Sequence, residues 1–240
     1  LLCLYKIPYV YLGEKKDNIW LKGIEQLRYN FKLLCLARRE KCTMAVGTSI
    51  TLSHIAALSR MSIFLSRINA ILLDDDDDDV EPLYAKYAHP FADVVLSPNE
   101  TPRMTKKIIY YPAYHELAYL HPNRFVPDVS VLDEAGIKYQ CDGSGHVVSV
   151  EPYFIMRFNA FKAHHDVGVV GLTIENKRRM VNLLSKHGKV FITTERNIDD
   201  EFKSYQLRVP QDKVHSLLYY ATMFVGDSQT MTSEAAVLGT

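Results

Sequence analysis

Short apolar runs alternate with amphipathic helical stretches along most of this 240-residue chain, and that alternation constrains its fold more than any other feature. Thr43–Val46, Ser62–Leu65, Ala70–Leu73, Val94–Ser97 and Lys107–Tyr111 have the apolar, β-branched character of buried strands. Between Lys22 and Arg39 the apolar residues Ile24, Leu27, Phe31 and Leu34 recur at spacings of three and four, predicting an amphipathic helix with Arg38 and Arg39 at its C-terminal end. Gly47-Thr48-Ser49 turns into a second helix, Ile50–Arg60, and Ile7–Leu12 is a short β-prone run. Strands alternating with helices predict a parallel sheet covered on both faces.

Composition changes between Ala118 and Val150, where proline, aspartate and glycine cluster. Cys141–Gly145 reads as a turn there and Val129–Ala135 as a short helix. The organisation expected is therefore an N-terminal α/β domain over residues 1–118, a connection over 119–150, and a second α/β domain over 151–240. In the last of these, strand Tyr153–Phe158 is followed by helix Thr173–His187, capped by Thr173 and ended by Gly188. Strand Lys189–Thr193, a short strand near Tyr205–Val209, helix Asp212–Thr222, strand Met223–Val225 and helix Met231–Leu238 complete it. This order is half of a doubly wound sheet, whose ligands bind beyond the carboxyl ends of the strands. The chain starts at Leu1 and stops at Thr240 in the last turn of a helix, so both domains are expected to be incomplete.

Lys+Arg and Asp+Glu both total 28, which gives no reason to expect a nucleic-acid partner. Cys3, Cys35, Cys42 and Cys141 form no CxxC pair, consistent with a reducing, cytoplasmic setting. No apolar run reaches the roughly 20 residues of a membrane span.

The strongest local signal is MFVGDSQTMTSEAAVLGT, Met223–Thr240. An apolar strand ends at Gly226-Asp227, and Ser228, Gln229 and Thr230 lead into a helix. Its first-turn N–H groups lack intrahelical partners and lie at the positive end of the dipole, where they suit a phosphate. Glu234, about one turn on, suits two ribose hydroxyls. Spacing alone leaves an equal alternative, in which Asp227 and Ser228 cap the helix and Glu234 is a surface residue. A second cluster follows strand Tyr153–Phe158. Arg157 suits bidentate phosphate contacts, and His164-His165-Asp166 offers a donor or general base in His165. No third spaced ligand makes this a metal site, and a solvated loop is the simpler alternative.

Asp74–Asp79 is an unbroken run of aspartates, best read as a solvated loop; the alternative is Mg²⁺ bound through water at a strand end. Tyr114-His115-Glu116, with His121 nearby, offers a histidine–carboxylate pair for acid–base work, or a polar hinge. His54 is a weaker candidate.

Three segments together carry a family resemblance: Tyr114–Pro122 (YHELAYLHP), His165–Gly168 (HDVG), and Gly226–Met231 (GDSQTM) with Glu234–Thr240 (EAAVLGT). Over most of its length the chain resembles the prokaryotic family called domain of unknown function 354. More distantly, its C-terminal half is similar to UDP-N-acetylglucosamine 2-epimerases and GT-B glycosyltransferases. The resemblance implies two Rossmann-like domains in GT-B arrangement, truncated at both ends here. It implies diphosphate contacts from Gly226, Asp227, Ser228, Gln229 and Thr230, with Glu234 on the ribose and Arg157 and His165 corresponding loosely to the basic loop. The epimerase loop has glycines where Gln229 and Thr230 stand. The expected catalytic residues are His115, Glu116 and Asp166, with His115 or an aspartate of Asp74–Asp79 deprotonating the acceptor hydroxyl. The expected function is glycosyl transfer or sugar epimerisation in surface polysaccharide synthesis, on a UDP-sugar with a glycan or lipid-linked acceptor. A divalent cation and peripheral membrane contact are compatible with it. The alternatives are a non-catalytic binding protein of the same fold and a metal-dependent hydrolase using Asp74–Asp79.

Overall fold

The computed structural model describes residues 2–13, 19–63, 65–74, 82–98, 107–158, 172–194 and 198–240. They form two compact units, Leu2–His115 and Glu116–Thr240, each with parallel strands and flanking helices. Among the described residues no helix is long and apolar enough to cross a membrane.

The first unit runs α1 (Ile19–Arg39), β1 (Met44–Gly47), α2 (Ile50–Met61), β2 (Asn69–Leu73), α3 (Pro82–Ala88), a 3-10 turn His89–Phe91, β3 (Val94–Ser97) and β4 (Ile108–Tyr110). Its four strands are parallel and lie in chain order, β1-β2-β3-β4. Helix α2 starts where the Ser49 hydroxyl accepts the Thr51 N–H at 3.3 Å. Leu72, Ala88, Ala92 and Val95 form one core cluster, and Ala37, Ile55 and Ile68 form another.

Two sequence expectations change here. The run 62–65 forms no strand among its described residues: α2 ends at Met61, and Ile63 is 91% exposed. The predicted apolar face of α1 is met only at Leu34, which packs on the Ala37, Ile55 and Ile68 cluster, since Ile24, Leu27 and Phe31 are exposed. The inward face instead carries Gln26, Asn30, Leu33, Leu34 and Ala37. Its polar members are satisfied, because the Gln26 amide donates to Thr51 Oγ1 at 2.9 Å and to Asn30 Oδ1 at 2.8 Å, and Asn30 Nδ2 lies 3.2 Å from His54 Nδ1. Hydrogen bonding across α1 and α2 lets a polar stripe take a position that periodicity assigned to an apolar one. Residues Ile7–Leu12 are irregular rather than extended in a sheet.

The second unit runs α4 (Leu117–Leu120), α5 (Ser130–Glu134), β5 (Tyr139–Cys141), β6 (Val147–Val150), β7 (Tyr153–Phe158), α6 (Ile174–Leu184) and β8 (Lys189–Thr194). The 3-10 turns Asp200–Tyr205 and Gln211–Lys213, then α7 (Val214–Tyr220), β9 (Met223–Gly226) and α8 (Gln229–Leu238), follow. Residues 119–150, read from sequence as a connection, pack into this unit: Val131, Leu132 and Ile137 are buried in its core. The Cys141–Gly145 turn closes the β5–β6 hairpin, with the Asp142 carboxylate accepting from the N–H groups of Ser144 and His146. The Ser144 hydroxyl, which donates to the same carboxylate at 2.7 Å, and those N–H groups hold Asp142 below the usual carboxylate range.

Strand β7 is the centre of a parallel sheet ordered β8-β7-β9. The expected strand near Tyr205–Val209 is reduced to one parallel bridge, Ile192 to Gln206, on the outer side of β8, because the residues before it wind as 3-10 helix. Successive residues of β7 point to opposite faces. Tyr153 and Ile155 join Leu217, Leu218, Met231 and Ala235 on the α7–α8 side, and Phe154, Met156 and Phe158 join Val181, Val190 and Ile192 on the other. Burial on both faces explains the nearly unbroken apolar sequence of the strand. Thr173 caps α6, accepting the Asn176 N–H at 3.3 Å. Gly188 lies four residues beyond the end of α6 at Leu184 and is needed for a close approach: a Cβ there would fall 2.1 Å from the Pro152 carbonyl oxygen.

Candidate functional site

The sheet order of the second unit sets where a ligand can sit. From β7 the chain moves by way of α6 to β8 on one side, then crosses back to place β9 on the other side of β7. The edge at the carboxyl ends of β7 and β9 is therefore a topological switch point, where ligands of open α/β sheets bind.

Arg157 and Gly226 are register partners at that edge. By strand alternation Arg157 follows Tyr153 and Ile155 on the α8 face of the sheet. The Asp227 N–H donates to the Arg157 carbonyl at 3.4 Å. A Cβ on Gly226 would lie 2.8 Å from that carbonyl oxygen and 3.2 Å from Arg157 Cβ, so glycine lets β9 close against the end of β7. Gly226 thus has a packing role independent of any ligand.

Helix α8 begins at Gln229, two residues earlier than its apolar pattern predicts, with Ser228 as N-cap. Ser228 is buried, yet its hydroxyl makes no capping hydrogen bond, unlike Ser49 and Thr173 at the starts of α2 and α6. The capping alternative for Ser228 is accordingly not realised. Its carbonyl instead accepts from the N–H and hydroxyl of Thr232, at 3.1 and 2.7 Å. Gln229 and Thr230 lie in the first turn and are exposed.

Glu234 is not a surface residue: its side chain is only 13% exposed. Its Oε1 accepts from the Tyr119 hydroxyl at 2.9 Å and from His215 Nε2 at 3.0 Å. A carboxylate only accepts, so Nε2 of His215 carries the proton in this contact. Burial works against the charged form, but the hydrogen bond and charge of His215, the Tyr119 hydroxyl and the charge of Arg157 together outweigh it. They hold the Glu234 carboxyl below its ordinary range. The aromatic rings are packed as well, with Tyr119 and His215 centroids 5.6 Å apart and Phe125 edge-on to His215 at 6.5 Å.

Of the residues singled out by sequence, Arg157, Gly226, Asp227, Ser228, Gln229, Thr230 and Glu234 belong to this edge or to the helix that begins there. His165 and Asp166 lie outside the described residues, as do Asp75–Asp79. Asp74 is buried, with Oδ2 3.5 Å from Nε2 of His89, an arrangement that ties the end of β2 to the 3-10 turn after α3. Among the described residues no group of three histidine, cysteine or carboxylate side chains is arranged to hold a metal ion. His115 is the last residue of the first unit, whereas Glu116 is 2% exposed at the start of α4 in the second, its carbonyl accepting from Tyr119 and Leu120. His54 is held by Asn30 and the Tyr87 carbonyl within the first unit.

His215 and the specific part played by Tyr119 were not legible in the sequence. Their meeting with Glu234 depends on how α4 and α7 pack against α8, and no local spacing encodes that. Neither a protein-family model nor a curated protein matches this chain.

Proposed function

We propose that the second unit binds a nucleoside diphosphate at the carboxyl ends of β7 and β9, and that the protein acts on a nucleotide-sugar as one half of a GT-B arrangement. The chemistry would be glycosyl transfer or sugar epimerisation in surface polysaccharide synthesis. The observation that carries this reading is the convergence at a topological switch point of Arg157, the Gly226 close approach and the start of α8, with a held carboxylate at Glu234. The likeness of three sequence segments to domain of unknown function 354 supports it further.

In glycosyl transfer, and in an epimerisation that eliminates the diphosphate and then adds it back, the bond between the anomeric carbon and the diphosphate oxygen breaks and negative charge builds on the diphosphate. The Arg157 guanidinium and the first-turn N–H groups of α8 would stabilise that charge. Ser228 and Thr230 hydroxyls are additional donors. A UDP-sugar supplies both the diphosphate and the ribose that these groups would hold.

Thermal unfolding with and without uridine diphosphate tests the proposal. A ligand at one hundred times its dissociation constant stabilises the folded state by about 2.7 kcal/mol, a shift of roughly 5–10 °C for a chain of this size. The expected result is a rise in midpoint with uridine diphosphate that is lost in Arg157→Ala. Unchanged melting with every nucleoside diphosphate would overturn the proposal.

A further inference from the structure

We propose that the first unit pairs with a second copy of this chain, the apolar row of α1 on each copy packing against a bare sheet face on the other. Register partners in a parallel sheet point to the same face, and successive residues of a strand alternate. Ala70, Leu72, Val95 and Ser97 therefore share one face, and all are almost wholly buried. Met44, Val46, Ile71, Leu73, Leu96 and Ile109 share the other. None of these six is buried, and Met44, Val46 and Ile109 are more than half exposed. No strand residue on this face is charged; its one polar member, Asn69, is held by Arg67 and the Thr43 carbonyl. Among the described residues the sheet is thus covered on one side only, whereas parallel sheets carry helices on both.

A helix row suited to that face lies on the same unit. Ile24, Leu27 and Phe31 recur at spacings of three and four on α1, and each is more than half exposed. No other described helix leaves three large apolar residues exposed in one row. Within one chain the row does not meet the bare face. Helix α1 and Ala45 pack on the same cluster of Ala37, Ile55 and Ile68, and Ala45 points away from the side that carries Met44 and Val46. Each patch offers about 300–400 Å² of apolar surface, at roughly 100 Å² for each large side chain buried. One helix-on-sheet contact buries about 700 Å² in all, short of the ~1,200 Å² of a stable interface. Two reciprocal contacts about a two-fold axis bury about 1,400 Å² and reach it.

Sedimentation equilibrium tests the pairing. At tens of micromolar the wild-type mass should approach twice the 27.5 kDa of one chain, and it should fall towards 27.5 kDa on dilution below micromolar. Leu27→Glu and Val46→Lys each put a charge into both contacts of a pair, so each variant should stay monomeric. Their equimolar mixture should dimerise again, more weakly than wild type. A mixed pair keeps one contact with neither substitution and sets opposite charges together in the other. Both positions are exposed, so below micromolar both variants should unfold at the wild-type urea midpoint. Ile24→Glu and Met44→Lys serve as a second pair.

A wild-type chain that stays at 27.5 kDa at every concentration would overturn the proposal, as would a mass that climbs past two chains. A dimer that survives either substitution, or a mixture that remains monomeric, would overturn the reciprocal helix-on-sheet contact.

Discussion

Glu234 combines burial with charge, and that combination makes its energetics measurable. Its folded-state carboxyl is held below the ordinary range, so the unfolded chain binds the proton more readily. The contribution to stability is fully present above the unfolded carboxyl range, near pH 4–5, and is lost as pH falls through the lower folded value. Melting temperature should therefore fall less steeply below about pH 5 in Glu234→Gln than in wild type. Identical slopes would mean that the Tyr119–His215 grip does not favour the ionised form. Asp128 and Asp142 are also held low, by hydrogen bonds to Ser130 and Ser144 respectively, so the comparison between the two proteins isolates Glu234. The two helix starts give a second contrast. Thr173→Ala removes a real cap and should cost about 1 kcal/mol in urea unfolding. Ser228→Ala removes none and should stay within about 0.5 kcal/mol while weakening pyrophosphate binding. A large stability loss at Ser228 would restore the capping role. At this scale the site was half legible. Strand–loop–helix chemistry pointed to Ser228 and Glu234, but whether a hydroxyl caps or a carboxylate is gripped depends on contacts made across the fold.

Among the elements, β3 (Val94–Ser97) and β7 (Tyr153–Phe158) have the bounds the sequence predicts, because short apolar runs inside a parallel sheet read as strands. Elements whose environment is decided elsewhere were misread. Ile24, Leu27 and Phe31 follow a helical period that looks like a core face, yet Gln26 and Asn30 take the inner side through partners on α2. Residues 119–150 looked like a linker from their prolines and glycines, while the buried trio Val131, Leu132 and Ile137 ties them to the second unit. Two leucine substitutions check this assignment by urea unfolding. Leu217→Ala, at a fully buried position of α7, should cost about 2–5 kcal/mol. Leu27→Ala, at a position 69% exposed on α1, should change stability by less than about 0.5 kcal/mol. A cost of several kcal/mol at Leu27 would show that the apolar stripe of α1 is a core face after all.

For the molecule as a whole, topology makes the second unit the natural seat of a ligand. The first unit lays its four described strands down in chain order, whereas the second reverses across β7. That reversal makes the carboxyl ends of β7 and β9, at Arg157 and Gly226, a topological switch point, and zero net charge gives no reason to expect a bulk polyanion there. The alternation of strands and helices made the fold class legible, but the reversal was visible only as an element order. The structure of the protein bound to uridine diphosphate is the most direct test of the central claim. The diphosphate is expected within hydrogen-bonding distance of the first-turn N–H groups of α8 and the Arg157 guanidinium, with the ribose at Glu234. Nucleotide bound away from the β7–β9 edge, or no bound nucleotide at saturating concentration, would contradict it.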